Sequence, residues 1–282
     1  MITTAWPEPP AGFVLRSDDT SALYVAASLA SAVCALGLHE WGTWDRALAR
    51  GSTASGRGAT VVVDGGSCGR WRLKAMRRGG RLAGIWRDRY PSAGRLVSTL
   101  SASVEAQTRG VPTADPIALI IKSGAGVFVR GAMAFEEIEG SEDLARRVLR
   151  SAATRADLVA TIDAVRAMHD RGVSHPDLNL GNVLLRPRAD GLPEAFLIDF
   201  DRATFAPGPL PFGARQVGLR RLERSCAKLT GTPRPWGPGS EDFWYSTYAG
   251  DDAELARRLA GGRRLGRLAL AVHRLGWRRN TP

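Results

Sequence analysis

The chain has 282 residues, enough for one large domain or for two lobes around one cleft, and its 44% hydrophobic and 24% charged content is that of a globular protein with an ample core. Its 39 lysines and arginines against 28 acids leave a formal charge of +11, which suits an anionic membrane surface or an acidic substrate. No zinc-finger or stacking-aromatic pattern accompanies that charge, so no nucleic acid partner is expected, while Cys34, Cys68 and Cys226 lack paired spacing and point to free thiols in a reducing cytoplasm.

The first ten residues carry no basic leader segment, so no signal peptide is expected. Residues 1–40 read as an N-terminal extension. Within it, Ser21 to Leu38 is uncharged but poor in large apolar side chains, which favours a buried helix over a membrane span. Trp41 to Arg50 is predicted as a short helix, followed by a Gly-rich stretch from Gly51 to Gly58. Gly56 and Gly58 are candidate nucleotide contacts there, because glycine lets backbone N–H groups approach phosphates; a surface loop is the alternative. Thr60–Asp64 and Arg70–Met76 read as a hairpin across the turn Gly65–Gly69. Lys74, one of only three lysines, would place a point charge on the nucleotide phosphates, or else it is an exposed strand lysine. Arg77, Arg78 and Arg81 begin a basic patch that either clamps an anionic acceptor or is a solvated loop.

Leu96 to Arg109 is predicted helical, broken by Gly110-Val111-Pro112, and Pro116–Ile121 and Gly126–Arg130 are predicted strands. The acidic run Phe135 to Gly140 resembles a hinge, dividing an N-lobe over 41–139 from a C-lobe over 140–282. Thr154 and Asp157 have capping-box spacing ahead of Leu158, Ile162, Val165 and Met168 on one helical face, with Gly172 ending the helix. Gln216–Leu229 and Asp252–Leu275 read as further basic helices. Strands first and helices after, without repeats, suit an α+β fold with a small β-rich lobe and a larger helical one.

The most informative segment is His175-Pro176-Asp177-Leu178-Asn179-Leu180-Gly181-Asn182, followed by Leu197-Ile198-Asp199-Phe200-Asp201. A His-x-Asp-x-x-x-x-Asn run followed by Asp-Phe is the signature of phosphoryl transfer from ATP to a hydroxyl. The apolar runs Val183–Leu185 and Ala195–Ile198 flank a turn cluster and should pair antiparallel, bringing Asn182 beside Asp199. Two hard oxygen donors in that position suit magnesium, and Asp177 one loop-turn earlier could face an incoming hydroxyl as base.

These motifs resemble the bacterial lipopolysaccharide kinases of the protein-kinase-like superfamily, nearest to the 3-deoxy-D-manno-octulosonic acid (Kdo) kinases. The resemblance spans roughly Trp41 to Leu229 and also rests on Gly56-Arg57-Gly58-Ala59, the Arg-Arg-Gly-Gly element ending at Gly80, Asp88-Arg89-Tyr90, Gly110-Val111-Pro112, Leu197 to Arg202, and Arg220 to Ser225. It implies ATP- and Mg2+-dependent phosphorylation of a Kdo sugar on a lipid acceptor in the lipopolysaccharide inner core, by a peripheral protein on the cytoplasmic face of the inner membrane. By that resemblance Asp177 is the base, Asn182 and Asp199 hold magnesium, and Lys74 meets phosphate. Pro176 replaces the arginine of His-Arg-Asp, which speaks against control by activation-loop phosphorylation. Glu105, the one acid between Leu96 and Arg109, lies late in its helix to partner Lys74. A heptose kinase, a small-molecule phosphotransferase of the aminoglycoside or choline type, and a pseudokinase binding module are the alternatives.

Overall fold

A computed structural model describes residues 6–51, 59–77, 88–124, 128–230 and 240–261. The chain divides into two compact units, Met1–Arg109 with Ala114–Ile138, and Gly110–Thr113 with Glu139–Pro282.

The first unit is built on six antiparallel strands: β1 (Phe13–Ser17), β2 (Ser21–Ala26), β3 (Thr60–Asp64), β4 (Arg70–Ala75), β5 (Pro116–Ser123) and β6 (Val129–Glu136), in spatial order β1-β2-β5-β6-β4-β3. Its helices are α1 (Ala30–Ala35), α2 (Trp41–Ala49) and α3 (Ala93–Thr108). Leu96, Leu100 and Val104 of α3 pack on one face of the sheet, against Tyr24, Leu119, Ile121 and Met133. The other face is covered by Val33 of α1, Leu38, and Trp44 and Leu48 of α2, packed on Trp71, Leu73, Ile120 and Ala134. The Trp44 indole N–H donates to Leu38 O at 2.8 Å, so burying this ring leaves no polar atom unpaired.

The predicted buried helix over Ser21–Leu38 is a strand for its first third. Residues 21–26 lie between β1 and β5, buried on both faces, and such a strand loses the polar-apolar alternation that would reveal it. Asp18 closes the β1–β2 hairpin by accepting from the backbone N–H groups of Thr20 and Ser21, which holds its carboxyl down at about 2. The region is therefore part of the sheet unit rather than a helical extension apart from it. No helix among the described residues is long and apolar enough to cross a membrane.

The second unit contains β7 (Glu142–Asp143), α4 (Leu144–Leu149), α5 (Arg155–Asp170), β8 (Val173–Ser174), β9 (Val183–Pro187), β10 (Pro193–Leu197), β11 (Thr204–Phe205), α6 (Phe212–Thr230), α7 (Ser240–Ala249) and α8 (Ala253–Gly261). Its strands form two small antiparallel sheets, β10-β9-β7 and β11-β8. The capping box at α5 is present in both halves: Asp157 N–H donates to Thr154 Oγ1 at 3.2 Å, and Thr154 N–H to Asp157 Oδ2 at 2.8 Å. Leu158, Ile162, Val165 and Met168 are buried, as their spacing requires.

One polar network ties α5, α6 and α7 together. Arg215 donates to Asp170 Oδ1 at 2.6 Å and to the Tyr248 hydroxyl at 3.0 Å. The Tyr248 hydroxyl lies 2.9 Å from His169 Nδ1. A guanidinium only donates, so the Tyr248 oxygen accepts from Arg215, and a second hydrogen bond joins the same hydroxyl to the imidazole. Burial, reinforced by the Arg215 charge, pushes His169 down to about 4.

Two outcomes follow for stability. A Cβ at Gly218 in α6 would lie 2.8 Å from His169 Nε2 and 2.9 Å from Cε1. Gly218→Ala should therefore lower stability by about 1–3 kcal/mol, despite the better helix propensity of alanine, as read by denaturant unfolding. Because the folded state holds His169 neutral while an unfolded histidine protonates near pH 6.5, this contribution is complete above that value. It should be lost as pH falls from 6.5 toward 4, by an amount on the order of 3 kcal/mol, read as a falling unfolding midpoint across that window.

Candidate active site

Two antiparallel pairings hold the motif-bearing segments side by side. At one end Val183 pairs with Leu197 in the β9–β10 ladder; at the other, Ser174 pairs with Thr204 in the β8–β11 ladder. The loop from His175 to Asn182 and the segment from Ile198 to Ala203 are framed between these ladders. Ile198 N–H donates to Asn182 O at 3.0 Å, so the chain entering Asp199 is bonded directly to Asn182. The expected antiparallel hairpin, and the neighbourhood of Asn182 and Asp199 it implies, are present.

His175 is the cross-link between the two segments. Its Nδ1 accepts the backbone N–H of Asp177 at 3.2 Å, which fixes the remaining ring proton on Nε2, donating to Ile198 O at 3.0 Å. The ring packs on Phe200 at 5.1 Å between centroids, and both residues are almost wholly buried. Burial pushes the His175 pKa below its ordinary value, in keeping with a neutral imidazole in this role.

The backbone carbonyl of Asp177 accepts from the side-chain amides of Asn179 and Asn182, each at 2.9 Å. With its N–H on His175 and its C=O on two amides, Asp177 is a tightly fixed backbone that carries an exposed side chain. Asn182 is 8% exposed, and its amide NH2 group is committed to Asp177 O, leaving Oδ1 as the atom able to serve as an oxygen ligand. Asp199 has φ of 70°, a left-handed conformation uncommon for a residue with a Cβ, retained where the surrounding bonds over-determine it. An amide oxygen and a carboxylate on adjoining chain segments are the hard donor set that magnesium takes from protein, the rest coming from water and phosphate.

Helix α6 supports this loop from outside the motif. Arg221 Nη1 donates to Pro176 O and reaches His175 O at 3.3 Å, and Ser225 Oγ accepts from Leu180 N–H at 3.1 Å. Neither residue was assigned a role from sequence. They lie 45 residues beyond their partners, and only the tertiary packing joins them.

The chain belongs to the lipopolysaccharide kinase (Kdo/WaaP) family. The model of that family matches residues 43–238. A 3-deoxy-D-manno-octulosonic acid kinase of Xylella fastidiosa (strain M12) is 33% identical over 181 residues, covering 62% of this chain and 69% of that protein. A protein of the same name from Xanthomonas oryzae pv. oryzae (strain PXO99A) is 34% identical over 196 residues, covering 68% and 73%. Among solved structures, WaaP in complex with acyl carrier protein is 19% identical with a TM-score of 0.46, covering 80% of this chain and 92% of that one. As a lipopolysaccharide kinase, the protein is a phosphotransferase with an alcohol group as acceptor, and a kinase of this kind implies ATP and a divalent metal.

The other expected site residues belong to the first unit or lie outside the described residues. Lys74 belongs to the first unit, on β4, paired with Thr60 of β3 and Met133 of β6. Trp71 and Leu73 point to the α1/α2 face, so the strand alternation turns Lys74 to the α3 face. The single acid of α3, Glu105, accepts from Arg109 at 2.7 Å one turn on. Arg77 lines a cavity of about 240 Å³ together with Trp41, Asp45, Asp88 and Arg130. Gly56, Gly58, Arg78 and Arg81 lie outside the described residues.

The histidine cross-link makes its own prediction. His175→Leu keeps the volume but leaves Ile198 O and Asp177 N–H without their partner, and each unmatched buried group costs about 1–3 kcal/mol. Thermal unfolding of this variant should show a lowered midpoint, with activity lost even at temperatures where the variant remains folded.

Proposed function

We propose that the protein transfers the γ-phosphoryl group of ATP to a hydroxyl of a Kdo sugar in the inner core of lipopolysaccharide, with Mg2+ as the metal. The observation that carries this reading is the placement of Asp177, Asn182 and Asp199 along two bonded chain segments. It is supported by the naming of relatives at 33% and 34% identity as Kdo kinases. Asp177 accepts the proton of the attacking hydroxyl, and its exposed carboxylate on a fixed backbone suits that role. Asn182 Oδ1 and the Asp199 carboxylate hold Mg2+, which when bound neutralises charge on the transferred phosphoryl. Lys74 meets the nucleotide phosphates, with Gly56 and Gly58 as further contacts, and Arg77, Arg78 and Arg81 contact the anionic acceptor. The protein acts from the cytoplasmic face of the inner membrane, where a charge of +11 favours an anionic surface.

The test uses purified protein, ATP, Mg2+ and a panel of lipid A precursors with and without Kdo, with a heptose-bearing acceptor alongside. Phosphate should enter only acceptors that carry Kdo; transfer to the heptose acceptor alone would overturn the substrate assignment. Asp177→Asn should lower transfer about 10²–10⁴-fold while nucleotide affinity survives. Asp199→Asn should lose magnesium-dependent nucleotide binding together with activity. Co-sedimentation with anionic vesicles should weaken steeply as ionic strength rises, and retention at high salt would rule out an electrostatic mode of attachment.

A further inference from the structure

We infer that Arg221 is a positioning residue for phosphoryl transfer: its guanidinium fixes the His175-Pro176 backbone and so aims the carboxylate of Asp177. This rests on the reading of Asp177 as the base. Proline has no N–H, so Pro176 offers the loop only a carbonyl to be held by. Arg221 takes that carbonyl and extends to the one before it, His175 O, at 3.3 Å. A planar guanidinium with several donors can serve two adjacent acceptors at once, and its charge strengthens both bonds.

The helix bearing this arginine is itself firmly anchored. Leu219, Leu222 and Cys226 of α6 are fully buried, and Glu223 accepts from the Tyr245 hydroxyl of α7 at 2.8 Å. Ser225, four residues on and therefore on the same face, accepts from Leu180 N–H. One helix face thus holds the loop on both sides of Asp177, at Pro176 and at Leu180. Asp177 keeps its N–H on His175 and its C=O on Asn179 and Asn182, so its side chain is the part of the residue left outside this set of bonds. Such a hold is permanent. It needs no phosphorylated segment to set the loop, which accords with a proline at the position after the histidine.

The test compares Arg221→Gln, Arg221→Lys and Ser225→Ala, each made in the parent and in the Asp177→Asn protein. Nucleotide affinity is measured by titration, and transfer is measured at saturating ATP and Mg2+ with the Kdo-bearing lipid acceptor. In the parent background Arg221→Gln should lower the transfer rate about 10- to 100-fold, the scale of a misplaced catalytic group, with nucleotide affinity and KM for ATP essentially unchanged. Arg221→Lys, which keeps the charge and can reach one carbonyl, should recover part of that loss, and Ser225→Ala should show a smaller loss of the same kind. In the Asp177→Asn background Arg221→Gln should cost nothing more, because the group it aims is already gone.

A parent-like rate for Arg221→Gln would overturn the inference. So would a loss of equal size in the Asp177→Asn background, or nucleotide binding lost in step with rate. If Arg221→Gln does not fold, Arg221→Lys and Ser225→Ala carry the comparison, and failure of those to fold would mark a purely structural role. A parent-like rate for Asp177→Asn itself would instead remove the base assignment, an outcome separate from any result at Arg221.

Discussion

The pairing of β9 with β10 in the register Val183 to Leu197 is the constraint on which the candidate site depends. It is the point from which Asn182 and Asp199 leave neighbouring strands at the same end of the same ladder. A slip of one residue would send alternate side chains to the other face and part the two oxygen donors. The register is secured by the burial of Val183, Leu185, Ala195 and Leu197. It is extended by the bond from Ile198 N–H to Asn182 O and closed at the far end by β8 with β11.

Within that frame the polar chemistry is economical. His175 donates to one segment and accepts from the other, which only a neutral imidazole of one tautomer can do. Burial favours that neutral form. The carbonyl of Asp177 takes both asparagine side chains, so the residue proposed as base also orients the amide proposed as metal ligand. Arg221 and Ser225 add a hold from α6. The result is a short loop whose backbone groups are largely committed, presenting an exposed carboxylate.

The first unit follows a different logic, in which covering the sheet decides the role of the N-terminal residues. A six-stranded sheet with apolar side chains on both faces needs a layer on each. Helix α3 supplies one; Val33, Leu38, Trp44 and Leu48 supply the other. Lys74 stands on the α3 face because Trp71 and Leu73 take the opposite one, a consequence of the period of two in β4.

Much of this was legible in the residues alone. Turn chemistry pointed to Thr60–Asp64 and Arg70–Met76 as a hairpin, which the fold has as Thr60–Asp64 with Arg70–Ala75; the capping box marked the start of α5, and the turn between Pro187 and Pro193 marked the β9–β10 pair. The spacing of Asp177, Asn182 and Asp199 pointed to phosphoryl transfer, the activity of the family, because their separation along the chain reflects one loop and one hairpin. Ser21–Ala26 misled, since a central strand buried on both faces has the same uniform apolar pattern as a buried helix. The roles of His175, Arg221 and Ser225 were out of reach for a plainer reason. Hydrogen bonds across 23 and 45 residues leave no periodic trace in a sequence. Local pattern determines which elements form; only their packing decides which distant side chain completes a backbone bond.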